Sequence, residues 1–169
     1  ICSVGADVVS VGVIPTPAIA HLVRHYKMDA GVMISASHNS MEYNGIKFFD
    51  NNGYKLPDEV EDKIEQIIRD GSTHIEFPVG KHIGRRLYYK DAAKDYTEFL
   101  KGTIDTRLDG LKVALDCANG AAYAIAPSVF KELGEEIFVI NDKPNGVNIN
   151  DDCGSTHPQG LQQYVVDMG

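Results

Sequence analysis

Several marks of common protein classes are scarce in this sequence, and each shortage removes a reading. The 169 residues include three cysteines, Cys2, Cys117 and Cys153, and no two of them form a Cys-x-x-Cys pair. An odd count cannot complete a disulfide framework within one chain, so reduced thiols in a cytoplasmic protein are expected. Cys117, at the end of an apolar run, is expected to be a small core residue. Positive charge is also short: 16 Lys and Arg against 24 Asp and Glu leave a formal net charge of -8. A field of that sign repels phosphate backbones and anionic lipid, so neither nucleic acid nor a membrane is expected as a partner. An anionic ligand would need a local cation instead. No apolar run is long enough for a transmembrane helix, and no basic-then-apolar leader stands at the start. The chain opens at Ile1 without an initiator Met and reads as an excerpt of a longer protein.

What is present reads as a soluble α/β protein. With 43% hydrophobic and 24% charged residues, the composition is ordinary for a globular chain of this length. Residues 8–14 are β-rich and read as a strand, stopped by Pro15 and Pro17, which open a helix over 18–26. Strands follow over 30–34 and 46–49, with Asn51-Asn52-Gly53 supplying the positive φ angles of a tight turn. Val60, Ile64, Ile67 and Ile68 fall at i, i+4, i+7 and i+8 and predict an amphipathic helix over 57–69, closed by Gly71 and covered by the strands. Residues 72–86 have no clean period and read as loop with one short strand. A helix over 92–101 is expected to bridge two domains. A strand over 113–117, a helix over 123–133 closed by Gly134 and a strand over 137–140 form a βαβ unit with a parallel pair. A polar loop over 141–157 leads to a last helix over 158–166. The expected division is residues 1–90 and residues 91–169.

The stretch richest in chemistry is Ser35-Ala36-Ser37-His38-Asn39-Ser40, followed by Asn44-Gly45-Ile46-Lys47. A buried strand delivers the chain into a loop holding three hydroxyls, an imidazole and two amides, with an ammonium a few residues on. Ser37 beside His38 suggests a serine hydrolase, but adjacent side chains of an extended segment point to opposite faces, and the Gly-x-Ser-x-Gly elbow is missing. Phosphate chemistry fits these residue types better. Asn39, Lys47 and exposed backbone N–H groups could surround a phosphoryl group on Ser37. A polar loop without chemistry remains the alternative at this point.

Other chemistry-bearing residues have plainer explanations. His21 and His25 stand at i and i+4, a zinc-compatible spacing, but no third ligand is apparent and a helix face accounts for them. Asp58, Glu59 and Glu61 suit the positive end of a helix better than a cation. His157 suits capping or packing near a helix start. Asp151 and Asp152 read as solvated turn residues. Gly120 is expected to open a helix after a strand, where anions bind, but the run Cys117-Ala118-Asn119-Gly120-Ala121-Ala122 has one glycine where a dinucleotide site needs three.

Ser35-Ala36-Ser37-His38-Asn39 with Asn44-Gly45-Ile46-Lys47-Phe48-Phe49 resembles the active-site serine loop of the α-D-phosphohexomutases. Leu115-Asp116-Cys117-Ala118-Asn119-Gly120-Ala121 resembles the start of that family's second domain. Pro144-Asn145-Gly146-Val147-Asn148-Ile149-Asn150 and Cys153-Gly154-Ser155-Thr156-His157-Pro158 are similar to its bacterial branch acting on glucosamine phosphates. The motifs run in order over nearly the whole chain.

The resemblance implies mixed α/β, sandwich-like domains of the phosphohexomutase type, two of them partial here. It implies that Ser37 is the phosphorylated serine, with His38 beside it and Lys47 positioning the phosphoryl group or assisting proton transfer. Asn39 and Asn44 are expected to bind phosphate or substrate. The family loop often has Pro where this chain has Ser40, which adds a backbone N–H. Mg²⁺ is the implied cofactor, held through the phosphate of Ser37 and by an Asp-x-Asp-x-Asp loop expected beyond Gly169. The implied reaction interconverts glucosamine 6-phosphate and glucosamine 1-phosphate through a phosphoserine and a bisphosphorylated sugar, feeding cell-wall precursor synthesis. A sugar phosphate is the implied partner, and the resemblance leaves room for a homodimer. The rivals are a mutase of mannose or glucose phosphates and a non-catalytic binding module.

Overall fold

The computed structural model describes residues 1–71 and 77–169. Its elements run β1 (Val8–Ser10), α1 (Thr16–His25), β2 (Ala30–Ser35), β3 (Gly45–Asp50), α2 (Asp58–Asp70), β4 (Arg86–Tyr88), α3 (Ala92–Lys101), β5 (Lys112–Asp116), α4 (Ile125–Leu133), β6 (Glu136–Ile140) and α5 (Gln159–Met168). Among the described residues the strands form three pairs: β1 with β4 parallel, β2 with β3 antiparallel, and β5 with β6 parallel. The mixed α/β class and the parallel pair of the βαβ unit agree with the sequence pattern. Part of the expected loop over 72–86 lies outside the described residues.

The core is built around α1. Pro17 sits in its first turn, where a fixed φ favours the helix and a missing N–H costs nothing. Ala18, Ile19, Leu22 and Val23 face inward and join Ile14, Ala92, Tyr96 and Ile125 in one buried cluster. Helix α1 therefore packs on β2 and β3 and on α3, which in turn packs on α4. The helix lies so close to β2 that a Cβ at Gly31 would meet Val23 Cγ2 at 2.5 Å and Ile19 Cγ2 at 2.8 Å. His21 and His25 belong to this packing: the His21 ring stacks on Phe99 with centroids 3.8 Å apart and on His25 at 5.5 Å. Tyr26 donates to Asp95 at 2.6 Å, and its burial and that carboxylate push the phenol well above its ordinary pKa.

Four expectations change. The first strand stops at Ser10 and not at residue 14, because its partner β4 offers three residues and Gly12 (φ 78°) turns the chain. Of Asn51-Asn52-Gly53, Gly53 alone has positive φ; Asp50 Oδ1 instead accepts the N–H groups of Asn52 and Tyr54. Helix α2 forms and ends at Gly71 in the left-handed region, yet none of its residues is buried, and Ile68 is 76% exposed. Its apolar stripe is not covered by the strands among the described residues. Helix α4 starts at Ile125, two residues late, which brings Pro127 into the first turn, where a proline is tolerated.

Candidate functional site: the Ser37 loop and its clasp

The β2–β3 ladder runs in register to Ser35↔Gly45, so the loop between the strands begins at a hydrogen-bonded strand end. Ala36 is buried, 4% exposed, and anchors it. The Asn39 N–H then donates to Ala36 O at 3.0 Å, closing a turn over Ala36–Asn39. Ser37 has φ 58° and His38 is not left-handed, the φ signs of a type II′ turn, whose first central position normally takes glycine. A serine there is strained, and such strain persists only where surroundings enforce it.

This geometry corrects one step of the sequence argument. The loop is a turn and not extended, so Ser37 and His38 are not on opposite faces: Ser37 Oγ lies 3.5 Å from His38 Nδ1. That distance is at the outer edge of a hydrogen bond and makes a weak contact. The three hydroxyls are meanwhile sorted by their partners. Ser35 Oγ accepts the Ser37 N–H at 2.9 Å. The Ser40 hydroxyl, near Glu42, lowers that carboxyl below its ordinary range. Ser35 Oγ is thus committed to shaping the loop, whereas Ser37 Oγ has nothing stronger than its contact with His38.

Ser37, His38 and Asn44 line a cleft of about 1620 Å³ whose lining also includes Asp116, Ala118 and Asn150. Asn44 Nδ2 donates to Met41 O at 3.0 Å, so its amide holds the loop's second half. Lys47 is exposed on β3, opposite Met33, and neither it nor Asn39 lines the cleft. The structure thus brings together Ser37, His38 and Asn44, and leaves Lys47 on the neighbouring strand.

Sequence reasoning missed the clasp that the second half of the chain places on this loop. Asn150 Nδ2 donates to Ser37 O at 3.0 Å and to Asn39 O at 2.7 Å, across more than a hundred residues of sequence. The Asn150 N–H donates to Ala118 O at 2.9 Å. Asp116 organises the surroundings: Oδ1 accepts from Ala118 N and Asn141 Nδ2, both at 2.9 Å, and Oδ2 accepts from Gly154 N at 2.8 Å. The legible signal was the density of asparagines in residues 141–150, since Asn tolerates the left-handed region that Asn141 and Asn150 occupy. The same network spends the donors near Gly120. Asn119 N–H goes to Asn141 O and Gly120 N–H to Cys117 O, and Gly120 opens no helix, contrary to expectation.

Cys117 and Cys153 are buried beside this network, and burial first, then nearby carboxylates, raises both thiols. They are poor nucleophiles. Among the described residues, no three His, Cys, Asp or Glu side chains gather in a way that could hold a metal ion. Among them too, no helix is long and apolar enough to cross a membrane.

Comparison with known proteins gives this geometry a context. Residues 1–74 match the family described as phosphoglucomutase/phosphomannomutase, alpha/beta/alpha domain I. The whole chain is 59% identical, over 169 residues, to a phosphoglucosamine mutase of Clostridium novyi, covering 38% of that protein. A solved phosphoglucomutase/phosphomannomutase family protein of Burkholderia thailandensis shares 26% identity at a TM-score of 0.74, over 98% of this chain and 36% of that one. An Aspergillus fumigatus N-acetylphosphoglucosamine mutase, solved with GlcNAc-6P and magnesium, shares the fold at 19% identity and a TM-score of 0.51, over 87% of this chain and 41% of that one. The chain therefore spans well under half the length of the relatives it matches.

Proposed function

The chain belongs to the α-D-phosphohexomutase family, and from this premise we propose that the full-length protein has phosphoglucosamine mutase activity, interconverting glucosamine 6-phosphate and glucosamine 1-phosphate. The observation that carries the proposal is the sorting of hydroxyls in the serine loop. Ser35 holds the loop and Ser40 lies past its apex near Glu42, while Ser37 stands at the strained apex on the cleft with no partner stronger than His38 at 3.5 Å. Identity of 59% to a protein of that name supports glucosamine over mannose or glucose as the sugar.

In the proposed cycle, phosphorylated Ser37 gives its phosphoryl group to the free C1 hydroxyl of glucosamine 6-phosphate. The P–Oγ bond breaks, a P–O bond to the sugar forms, and the hydroxyl's proton ends on Ser37 Oγ or on solvent. The bisphosphorylated sugar turns over in the cleft and returns its C6 phosphate to Ser37 by the reverse exchange. His38 contacts Oγ and orients it. Asn39 and Asn44 are proposed to bind phosphate or substrate at either end of the loop. Lys47 supplies the cation that a phosphoserine of roughly -1.5 to -2 charges needs in a chain of net charge -8. Mg²⁺ is proposed for the full-length protein, with the Ser37 phosphate as one ligand. The described residues supply no carboxylate set to complete its shell.

Residues 1–90 and 91–169 are proposed as parts of two successive domains, with the full-length protein cytoplasmic and open to homodimer formation. The test is turnover of the full-length protein on the 6-phosphates of glucosamine, mannose and glucose. Highest kcat/KM on glucosamine 6-phosphate is expected. A preference for either other hexose would replace the sugar, and no turnover on any would end the reading.

A further inference from the structure

We propose that Asn150 is a positioning residue for phosphoryl transfer, clasping the Ser37 loop through its side-chain amide. The inference rests on Ser37 being the phosphoryl carrier and adds a residue from the second half of the chain to its site. The two N–H groups of the Asn150 amide are both spent on this loop, at 3.0 Å on Ser37 O and 2.7 Å on Asn39 O. Those carbonyls belong to the first central residue and the last residue of the turn, so one planar amide spans it. Tying the carbonyl of Ser37 fixes the peptide that follows it, Ser35 Oγ on the Ser37 N–H fixes the one before, and together they hold that residue at φ 58°, a conformation serine does not prefer. The position of Cβ, from which Oγ projects, follows from that backbone.

The clasp is itself held rigidly. Asn150 sits at φ 57° with its N–H on Ala118 O at 2.9 Å, and Ala118 sits at φ 51°. Asp116 fixes Ala118 through its N–H and reaches Gly154 as well. A side chain at Gly154 (φ 76°) would place Cβ 2.6 Å from Ala118 Cβ, so the turn beneath Asn150 closes only on glycine. Asparagine is specifically suited to the position. It tolerates the left-handed region and offers two donors on a short stem, whereas Asp offers none when ionised and Gln is one methylene too long. A nucleophile held within a fraction of an ångström of its productive place gains rate through positioning alone, and small displacements forfeit much of it.

The test uses the full-length protein with Asn150→Gly, which removes the amide while keeping the left-handed backbone free, and Asn150→Asp, which keeps the shape and loses the donors. Both are compared with the unsubstituted protein by kcat and KM on glucosamine 6-phosphate, and by amide hydrogen exchange at Asn39, whose N–H closes the turn. Samples are first matched by circular dichroism and melting temperature. In folded samples of both variants, kcat should fall about 10- to 100-fold with KM within about threefold, and exchange at Asn39 should accelerate. Unchanged kcat, a loss confined to KM, or unchanged exchange at Asn39 in folded variants would overturn the proposal. If the unsubstituted protein is itself inactive, the functional reading fails, and exchange at Asn39 alone decides whether the clasp exists.

Discussion

Replacing Ser37 by glycine should remove the proposed phosphoryl carrier and stabilise the chain at the same time. Ser37 sits at φ 58°, where an L side chain brings Cβ too close to the following carbonyl, a cost of roughly 1–2 kcal/mol. Glycine escapes that cost but loses more backbone freedom on folding, offsetting roughly 0.5–1 kcal/mol. The hydroxyl contributes little, since its closest partner is His38 Nδ1 at 3.5 Å. The net expectation is a gain of about 0.5–1 kcal/mol for Ser37→Gly, or a rise of about 1–4 °C in melting temperature. Ser37→Ala keeps the Cβ and its strain, so it should fall within about 0.5 kcal/mol of the parent. Urea melts of the three proteins, analysed at a common slope, give the order directly. Ser37→Gly less stable than the parent would show that the loop does not hold Ser37 in the left-handed region, and the strained-nucleophile argument would go with it.

Other substitutions probe other links. In the full-length protein, Lys47→Met should lower kcat by at least about tenfold by removing the ammonium proposed to offset the phosphoserine charge, and His38→Asn should cost less; steady-state kinetics showing the larger loss at His38 would reverse their roles. Gly31→Ala should destabilise by about 1–3 kcal/mol in a urea melt, because its Cβ would press into Val23 and Ile19. Arg85 hydrogen-bonds Asp7 through side chain and backbone and holds its carboxyl below the ordinary 3.8. The folded pKa is depressed, so that contribution is present above 3.8 and is lost as pH falls through the lower folded value. Asp7→Asn should therefore flatten the acid limb of stability against pH below about 4, by a small amount because the pair is exposed.

The parts of the fold legible in the sequence were those with strong periodicity or punctuation. Helix α3 begins and ends where the pattern puts it, and α2 and α4 close on Gly71 and Gly134, both left-handed. Strand β1 was overread because its apolar residues serve two purposes: three pair with β4, while Ile14 leaves the ladder to become 2% exposed in the core. The α2 stripe was read correctly as a pattern and wrongly as a buried surface, since periodicity states what a helix can bury and not what is there to cover it. At the site, the serine loop stood out by composition alone. Its turn conformation did not, because nothing in Ala36-Ser37-His38-Asn39 supplies the glycine that a II′ turn announces. Asn150 was hidden for a different reason. Its bonds to Ser37 and Asn39 are non-local, and a single sequence carries no sign of which distant carbonyl an amide will meet.

The account turns on Ser37 as the phosphoryl carrier, and direct labelling tests that. The full-length protein would be incubated with a hexose 1,6-bisphosphate labelled with ³²P, digested, and the labelled peptide mapped by mass spectrometry. The label should sit on Ser37, vanish on addition of glucosamine 6-phosphate, and be absent from Ser37→Gly. Label on Ser35 or Ser40 with Ser37 bare, or label that persists through turnover, would contradict the account.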